Sequence, residues 1–101
     1  MIVMSASYPF SKSKKFDETY YTSKHIALVK EVLGTLAKEV AVYKGLPGLD
    51  GSDPAFFYRA DICFASMEDL GKALTGPRVG EMMADTANYT DVESVMAVCE
   101  K

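Results

Sequence analysis

The segment at residues 55–65, AFFYRADICFA, constrains the fold most, because apolar side chains occur all along it. Its length and aromatic content predict a β-strand. Alternation along a strand divides these side chains into two faces: Phe56, Tyr58, Ala60, Ile62 and Phe64 on one, and Phe57, Arg59, Asp61 and Cys63 on the other. Since apolar residues occur on both faces, we expect both faces of the sheet to be covered.

The rest of the chain supplies three more strands and two main helices. Alternating or continuous apolar runs predict strands at residues 1–8, 36–44 and 92–99. Asp17 is a good N-cap for a helix that ends at Gly34, and residues 66–69, SMED, resemble the capping box of a second helix. Further elements are predicted at three places: a surface loop at residues 45–54, a stop of the second helix at Gly76-Pro77, and another helical turn or two at residues 79–84.

The predicted order is strand, helix, strand, strand, helix, strand, which is the βαββαβ pattern of the ferredoxin-like α+β fold with an antiparallel sheet. Helices in this fold cover only one face of the sheet. Because the other face is not clearly polar, a second copy of the chain is expected to cover it, which predicts a two-fold homodimer.

Composition narrows the class of protein. The chain has 101 residues, which predicts one domain at residues 1–101, and its net charge is −3 with dispersed basic residues, so no nucleic-acid partner is expected. No apolar run reaches about 18 residues and the first four residues are too short for a signal peptide, so we expect no membrane partner and a cytoplasmic location. The chain also lacks the GxGxxG and GxxxxGK[ST] motifs of nucleotide sites.

Cys63 and Cys99 form no CxxC or CxH pattern, which argues against a zinc site or a disulfide scaffold. We therefore expect no metal and no built-in cofactor. In the ferredoxin-like order, their strands flank the first strand, about 10 Å apart. That separation exceeds the roughly 7 Å limit for a disulfide, so both cysteines are predicted to stay reduced.

The first helix carries the best candidate for acid–base chemistry. His25, the only histidine, follows Tyr21 by four residues, so the two side chains share a helix face. Tyr20 points about 100° away from Tyr21 and is expected to flank a pocket while Tyr21 packs. The candidate substrate-binding residues are Tyr8, Tyr20, Tyr21, Tyr58 and Asp85. Each candidate also has a purely structural interpretation. His25 can be a histidine at the edge of the core, and the tyrosines can simply pack there. Asp61, the other candidate carboxylate, can form a structural ion pair with Arg59.

Several motifs together resemble the EthD-like family, which is named for a protein of ethyl tert-butyl ether degradation. The most specific is FDxxYYxxxH at residues 16–25. Supporting motifs are FASMED at residues 64–69, LTGP at residues 74–77, AD at residues 84–85 and NYTD at residues 88–91. The resemblance covers nearly the whole chain, except that the loop at residues 45–54 does not match residue by residue.

This resemblance implies a dimeric α/β barrel of ferredoxin-like subunits. It also strengthens His25 as the candidate catalytic residue, because His25 lies in the most specific motif. Related barrels include cofactor-free monooxygenases, isomerases and cyclases of small aromatic substrates, and also haem-degrading members. One expected function is therefore a cofactor-independent enzyme, an oxidoreductase among the possibilities, that acts on a small hydrophobic or aromatic metabolite of an oxidative degradation or biosynthetic pathway. The alternatives are a non-catalytic accessory or carrier protein for such a metabolite, and a structural dimer without a ligand.

Overall fold

The structure of the chain is a computed structural model that describes all 101 residues. Its elements follow the predicted order. The strands are β1 (Ile2–Pro9), β2 (Ala37–Lys44), β3 (Phe56–Phe64) and β4 (Val95–Glu100), and the helices are α1 (residues 18–33), α2 (Met67–Leu74) and α3 (Val79–Ala84). The strands form one antiparallel sheet in the order β2-β3-β1-β4, so the predicted α+β, ferredoxin-like fold is confirmed. None of the helices combines the length and apolarity that crossing a bilayer demands.

Polar caps and a glycine set the limits of the helices. The Asp17 carboxylate accepts a hydrogen bond from the Tyr20 backbone N–H at 3.1 Å, and the Ser66 hydroxyl accepts one from the Asp69 backbone N–H at 3.1 Å. The helix α1 ends at Gly34, whose φ of 60° is strained for residues with a Cβ atom. Local sequence therefore decides where these helices begin and end.

One turn of α1, Tyr21–His25, is π-helical, because the backbone N–H of Ile26 bonds to the carbonyl oxygen of Tyr21 five residues earlier. In a regular α-helix, Tyr20 and His25 would point about 140° apart around the axis. The wider turn brings residues five apart towards the same side of the helix. Such turns occur frequently at functional sites, and the helical spacing of apolar residues does not reveal them.

A β-bulge near the start of β3 corrects the predicted faces of that strand. The pairing with β1 shifts there, so that Phe57 and Tyr58 together oppose one residue of β1. Both rings turn to the helix side, where Phe16 stacks on them at centroid distances of 5.3 and 5.5 Å. Phe56 lies instead with Arg59, whose guanidinium is 5.7 Å from its ring. The prediction that Phe56 shares a face with Tyr58 is therefore wrong.

The two faces of the sheet are covered unequally. Buried apolar side chains pack between the helices and one face in two clusters, one around Phe64 and Leu33 and the other around Tyr21 and Tyr89. No helix lies over the opposite face, which we call the open face. Side chains of the open face come from all four strands: Val3, Ser5 and Ser7, then Ala41 and Tyr43, then Arg59 and Asp61, and finally Val95, Ala97 and Cys99.

The edge strand β4 is exposed along its whole length. It begins at Val95 and not at residue 92 as predicted. Val92 is buried in the cluster around Tyr21, and its backbone N–H bonds to the Thr90 hydroxyl at 3.1 Å, so the chain bends before the strand begins. The apolar residues of this segment therefore belong partly to a packed bend and partly to a strand.

The cysteines lie where the strand order predicts. Cys63 of β3 and Cys99 of β4 both pair with Val3 of β1, on opposite sides of it. Two strand spacings, about 10 Å, separate them, and both are free thiols.

Candidate functional site

A cavity of about 80 Å³ lies between α1 and the sheet and is lined by His25. Its wall is mostly apolar, and four of the six methionines contribute to it: Met4, Met82, Met83 and Met96. Met83 is 60% exposed and Met96 is 48% exposed. These two flexible side chains therefore lie at the mouth of the cavity, between its interior and the solvent. His25 is the only imidazole or carboxyl group in the wall.

The imidazole of His25 is fixed on its faces and on one edge. The residue is 6% exposed, and its ring lies nearly parallel to the Tyr21 ring at a centroid distance of 5.7 Å. The Tyr89 ring contacts it at 4.6 Å. On the edge, Nδ1 of His25 lies 2.9 Å from Oδ2 of Asp85. The imidazole is therefore held in one orientation.

Asp85 is the centre of a hydrogen-bonded group that we call the histidine–aspartate cluster: His25, Asp85, Tyr20 and Asn88. Oδ1 of Asp85 accepts from the Tyr20 hydroxyl at 2.7 Å and from Nδ2 of Asn88 at 2.9 Å. Tyr20 and His25 reach the same carboxyl because the π-helical turn lies between them. The cluster thus holds the imidazole through residues from two parts of the chain.

The charge of Asp85 follows from its surroundings. Burial opposes ionisation of the carboxyl, but hydrogen bonds from Tyr20, Asn88 and His25 outweigh it and lower the pKa of Asp85 below its ordinary value. The hydrogen bond to this carboxylate, aided by burial, raises the pKa of the Tyr20 hydroxyl. At neutral pH Asp85 is therefore a carboxylate that accepts three hydrogen bonds.

The ionised carboxyl decides which nitrogen of His25 carries the proton. A carboxylate only accepts hydrogen bonds, so Nδ1 of the imidazole must be the donor to Asp85. In a neutral imidazole the lone pair then lies on Nε2. This nitrogen has no hydrogen-bond partner in the protein and is not sealed from solvent. The cavity wall therefore contains an imidazole of fixed orientation whose Nε2 is free of protein partners.

Contacts between distant segments bring Asp85 to α1. The backbone N–H of Asp17 donates to the carbonyl oxygen of Tyr89 at 2.7 Å, and the Thr90 hydroxyl donates to the carbonyl oxygen of Lys15 at 2.7 Å. These bonds tie the start of α1 to the segment after the 3-10 turn Asp85–Asn88. As a result, the carboxyl faces the histidine.

The structure sorts the predicted site residues into three positions: His25, Tyr8 and Tyr21 line the cavity, Tyr20 and Asp85 lie behind the imidazole, and Tyr58 lines a separate cleft. The residues behind the imidazole hold it and do not line the cavity wall. Asp85 was predicted to bind substrate; in the structure its carboxyl bonds to Nδ1 of His25 and it is not part of the cavity wall.

Sequence reasoning missed three residues that surround His25. Residues 88–91, NYTD, form a mostly polar segment, yet Tyr89 is among the most buried side chains, and its hydroxyl is 2.5 Å from that of Tyr8. Asn88 bonds to Asp85, and Thr86 lines the cavity. An aromatic residue inside a polar turn was the one available signal for this role, because turns seldom bury a large ring without a reason.

The open face holds the predicted ion pair. The guanidinium of Arg59 lies 3.1 Å from the carboxyl of Asp61 and 4.9 Å from the Tyr43 ring. Nε of Arg59 and Oδ1 of Asp61 are shut off from solvent without a hydrogen-bond partner. The chain therefore leaves this pair incomplete.

Comparison with known proteins gives close matches. Residues 11–93 match the family described as "EthD domain". The "uncharacterized 11.0 kDa protein in thcB-thcC intergenic region" of Rhodococcus erythropolis is 33% identical over 90 residues, which cover 80% of this chain and 84% of that protein. The crystal structure of an EthD-like protein from Ralstonia eutropha JMP134 is 33% identical, with a TM-score of 0.91, over 98% of this chain and 89% of that chain.

More distant structures share the fold. An EthD family protein from Bacillus halodurans C-125 is 14% identical with a TM-score of 0.75, over 100% of this chain and 98% of its own. A dimeric protein with a ferredoxin-like fold from Bacteroides fragilis NCTC 9343 is 7% identical with a TM-score of 0.57, over 99% of this chain and 95% of its own. An antibiotic biosynthesis monooxygenase is 8% identical with a TM-score of 0.55, over 100% of this chain and 98% of its own. At such identities the likeness shows the fold alone.

Proposed function

We propose, from the premise that this chain belongs to the EthD domain family, that it binds a small hydrophobic or aromatic metabolite in the cavity beside His25. His25 acts there as a general base. The metabolite belongs to an oxidative degradation or biosynthetic pathway. Tyr20, Asp85 and Asn88 take no part in binding, since they lie behind the imidazole and orient it.

The orientation of His25 supports this proposal most strongly. Its Nδ1–H is held by a carboxylate at 2.9 Å, so the lone pair of Nε2 is available at the cavity. A positioned imidazole is the group that proteins use most often for proton transfer near neutral pH, with gains of about 10²–10⁴ in rate.

The size of the cavity limits the ligand. About 80 Å³ is less than the roughly 150 Å³ of an apolar cavity that takes up benzene. Entry of an aromatic ring therefore requires the side chains at the mouth to move. Met83 and Met96 are exposed and unbranched, so they can turn outwards at low cost.

Carriage of the same ligand without chemistry is the second candidate function. The apolar, methionine-rich wall favours it, because such a surface binds hydrophobic molecules without requiring a reaction. In that case His25 only donates or accepts a hydrogen bond. The two functions differ in whether removal of Nε2 abolishes a proton transfer.

We also propose that two copies pair through their open faces. Exposed apolar side chains, Val95 and Tyr43, lie there beside the incomplete Arg59–Asp61 pair. Because the face carries both charges, a two-fold axis can bring Arg59 of one copy to the partner's Asp61. The dimeric protein from Bacteroides fragilis has the same fold, which supports a second copy as the occupant.

The test of the base uses 5-nitrobenzisoxazole, a small aromatic molecule that opens to a coloured phenolate when a base removes its single isoxazole proton. We expect the wild-type protein to accelerate this opening. The variant His25→Asn removes Nε2, while its amide can still donate to Asp85, so it should lose most of the rate and keep the fold. Tyr58→Phe, a tyrosine outside the cavity, is the matched control.

Each outcome decides between the functions. A rate that depends on His25 and not on Tyr58 supports the general base. Saturable binding of the probe with equal rates for the wild type and His25→Asn supports carriage. A wild-type protein that neither binds nor converts the probe contradicts both functions.

A further inference from the structure

Three hydroxyl groups meet beside the imidazole of His25. The hydroxyls of Tyr8 and Tyr89 lie 2.5 Å apart, and the Tyr89 hydroxyl lies 3.5 Å from that of Thr86. We call these three residues the hydroxyl cluster. Tyr8 and Thr86 also line the cavity. The proposed base function of His25 makes no use of the cluster.

The cluster carries more hydroxyl hydrogens than it has hydrogen bonds within the protein. Three hydroxyl groups carry three hydrogens, but they share only two contacts among themselves and donate to no other protein atom. At least one hydrogen is therefore left without an acceptor in the protein. Burial raises the pKa of Tyr8 and of Tyr89. Hydrogen bonds offset part of this at Tyr8, whereas at Tyr89 the bond with Thr86 lowers the pKa and the bond with Tyr8 raises it, so both residues keep their protons at neutral pH.

The cluster and the base lie on the same side of the site. Tyr8 and His25 both contact the Tyr21 ring, at centroid distances of 5.5 and 5.7 Å, and both contact the Tyr89 ring, at 5.7 and 4.6 Å. Thr86 directly follows Asp85, the residue that holds the imidazole. A molecule in the cavity can therefore contact both the imidazole and a hydroxyl donor.

We propose that the ligand of this site carries an oxygen that accepts a hydrogen bond from the hydroxyl cluster, through Tyr8 or Thr86, and an acidic hydrogen near that oxygen for Nε2 of His25. The matching class is phenols and enolisable carbonyl compounds. This inference rests on the proposed function, since it assumes that a ligand enters the cavity, and it narrows that function to one class of ligand.

For an enolisable carbonyl compound, the groups perform a balanced proton transfer. Nε2 of His25 takes a proton from the carbon beside the carbonyl, the C–H electron pair forms a C=C bond, and the C=O pair moves to the oxygen. The hydroxyl cluster stabilises the resulting enolate by hydrogen bonding. Return of the proton from the imidazolium to another atom of the enolate gives a tautomer, without any co-reactant.

Phenol and toluene are the probes, because they have nearly the same shape and only phenol has the oxygen and the acidic hydrogen. Calorimetry or NMR titration measures the affinity of both for the wild type and for Tyr8→Phe, Thr86→Val and the double variant. We expect the ratio of phenol to toluene affinity to fall about tenfold in the double variant. Tyr58→Phe, which lies outside the cavity, should leave the ratio unchanged.

The toluene affinity separates the possible failures. Unchanged toluene affinity with a reduced ratio shows that the cavity is folded and supports the inference. A ratio that is the same in the wild type and in the double variant overturns the hydroxyl cluster as a recognition group and leaves the proposed function standing. Failure of both probes to bind to the wild type overturns the proposed function itself, and this inference with it.

Discussion

Two pairs of a basic and an acidic side chain, His25–Asp85 and Arg59–Asp61, lie on opposite sides of the sheet. Only the second pair contains buried polar atoms without a hydrogen-bond partner. On the helix side, Asp85 accepts three hydrogen bonds, one of them from His25 at 2.9 Å. On the open face, Arg59 and Asp61 are 3.1 Å apart, but one nitrogen and one oxygen of the pair are buried without a partner.

The two pairs support different proposals. A fully bonded carboxylate that holds one edge of a histidine fixes the orientation and tautomer of the ring, as a positioned base requires. A buried polar atom without a partner costs about 1–3 kcal/mol, so the incomplete pair supports the proposal that a partner covers the open face. We interpret the first pair as part of a ligand site and the second as part of an interface.

The largest expected effect is on the open face. Asp61→Ala leaves the Arg59 guanidinium without its carboxylate in the proposed dimer interface, which costs about 2–5 kcal/mol of association free energy. Sedimentation should show the wild type as a dimer at micromolar concentration. A stable interface of this kind should bury more than about 1,200 Å². The variant should dissociate at the same concentration.

The control for this prediction is Glu68→Ala, which breaks the exposed ion pair with Lys72 at 3.2 Å on α2. Exposed pairs of this kind contribute about 0–1 kcal/mol, so the variant should remain a dimer. A wild-type protein that sediments as a monomer would show that the open face is not an interface between copies, and the interpretation of the second pair would be wrong.

A smaller effect is expected on the helix side. Asp85→Asn replaces the acceptor of three hydrogen bonds with an amide that presents only one acceptor oxygen, so we expect a loss of about 1–3 kcal/mol in the free energy of unfolding. Urea denaturation measures it. Dimerisation should be unchanged, because Asp85 lies on the other side of the sheet from Asp61. Loss of the dimer in this variant would break the separation between the two pairs.

The smallest effect is a pH dependence of the first pair. The folded chain lowers the pKa of Asp85 below the unfolded value of about 3.9, so the unfolded chain binds its proton first as the pH falls. The contribution is therefore fully present above about pH 5 and is lost as the pH falls through the lowered pKa. The difference in unfolding free energy between the wild type and Asp85→Asn should shrink between pH 7 and about pH 3. A difference that stays constant over this range would contradict the lowered pKa of Asp85.

Much of the fold could be predicted because it depends on local signals. Asp17, Ser66 and Gly34 are recognisable helix limits, and the alternation in the strands gave the sheet. The bulge in β3 was not visible, since it depends on how β1 pairs with that strand, and it moved Phe57 to the other face. Similarly, Val92 read as a strand residue because it is apolar, although it packs in a bend.

The site was only partly predictable, since its geometry depends on segments far apart in sequence. His25 and Tyr21 were selected from helical spacing, and both line the same cavity. The link from Tyr20 to His25 depends on a π-helical turn, which leaves no periodic signal. Tyr89 comes to His25 through bonds between the start of α1 and the last segment before β4, which no local pattern records.

The tautomer of His25 tests the oriented base most directly. Because the chain contains a single histidine, the ¹⁵N spectrum of labelled protein contains one imidazole, and its two nitrogens can be assigned without ambiguity. At a pH where the ring is neutral, the structure predicts a protonated Nδ1, bonded to Asp85, and an unprotonated Nε2. The signal of Nε2 should shift when phenol is added. A neutral ring protonated on Nε2, with a bare Nδ1 facing Asp85, would contradict the base at the cavity.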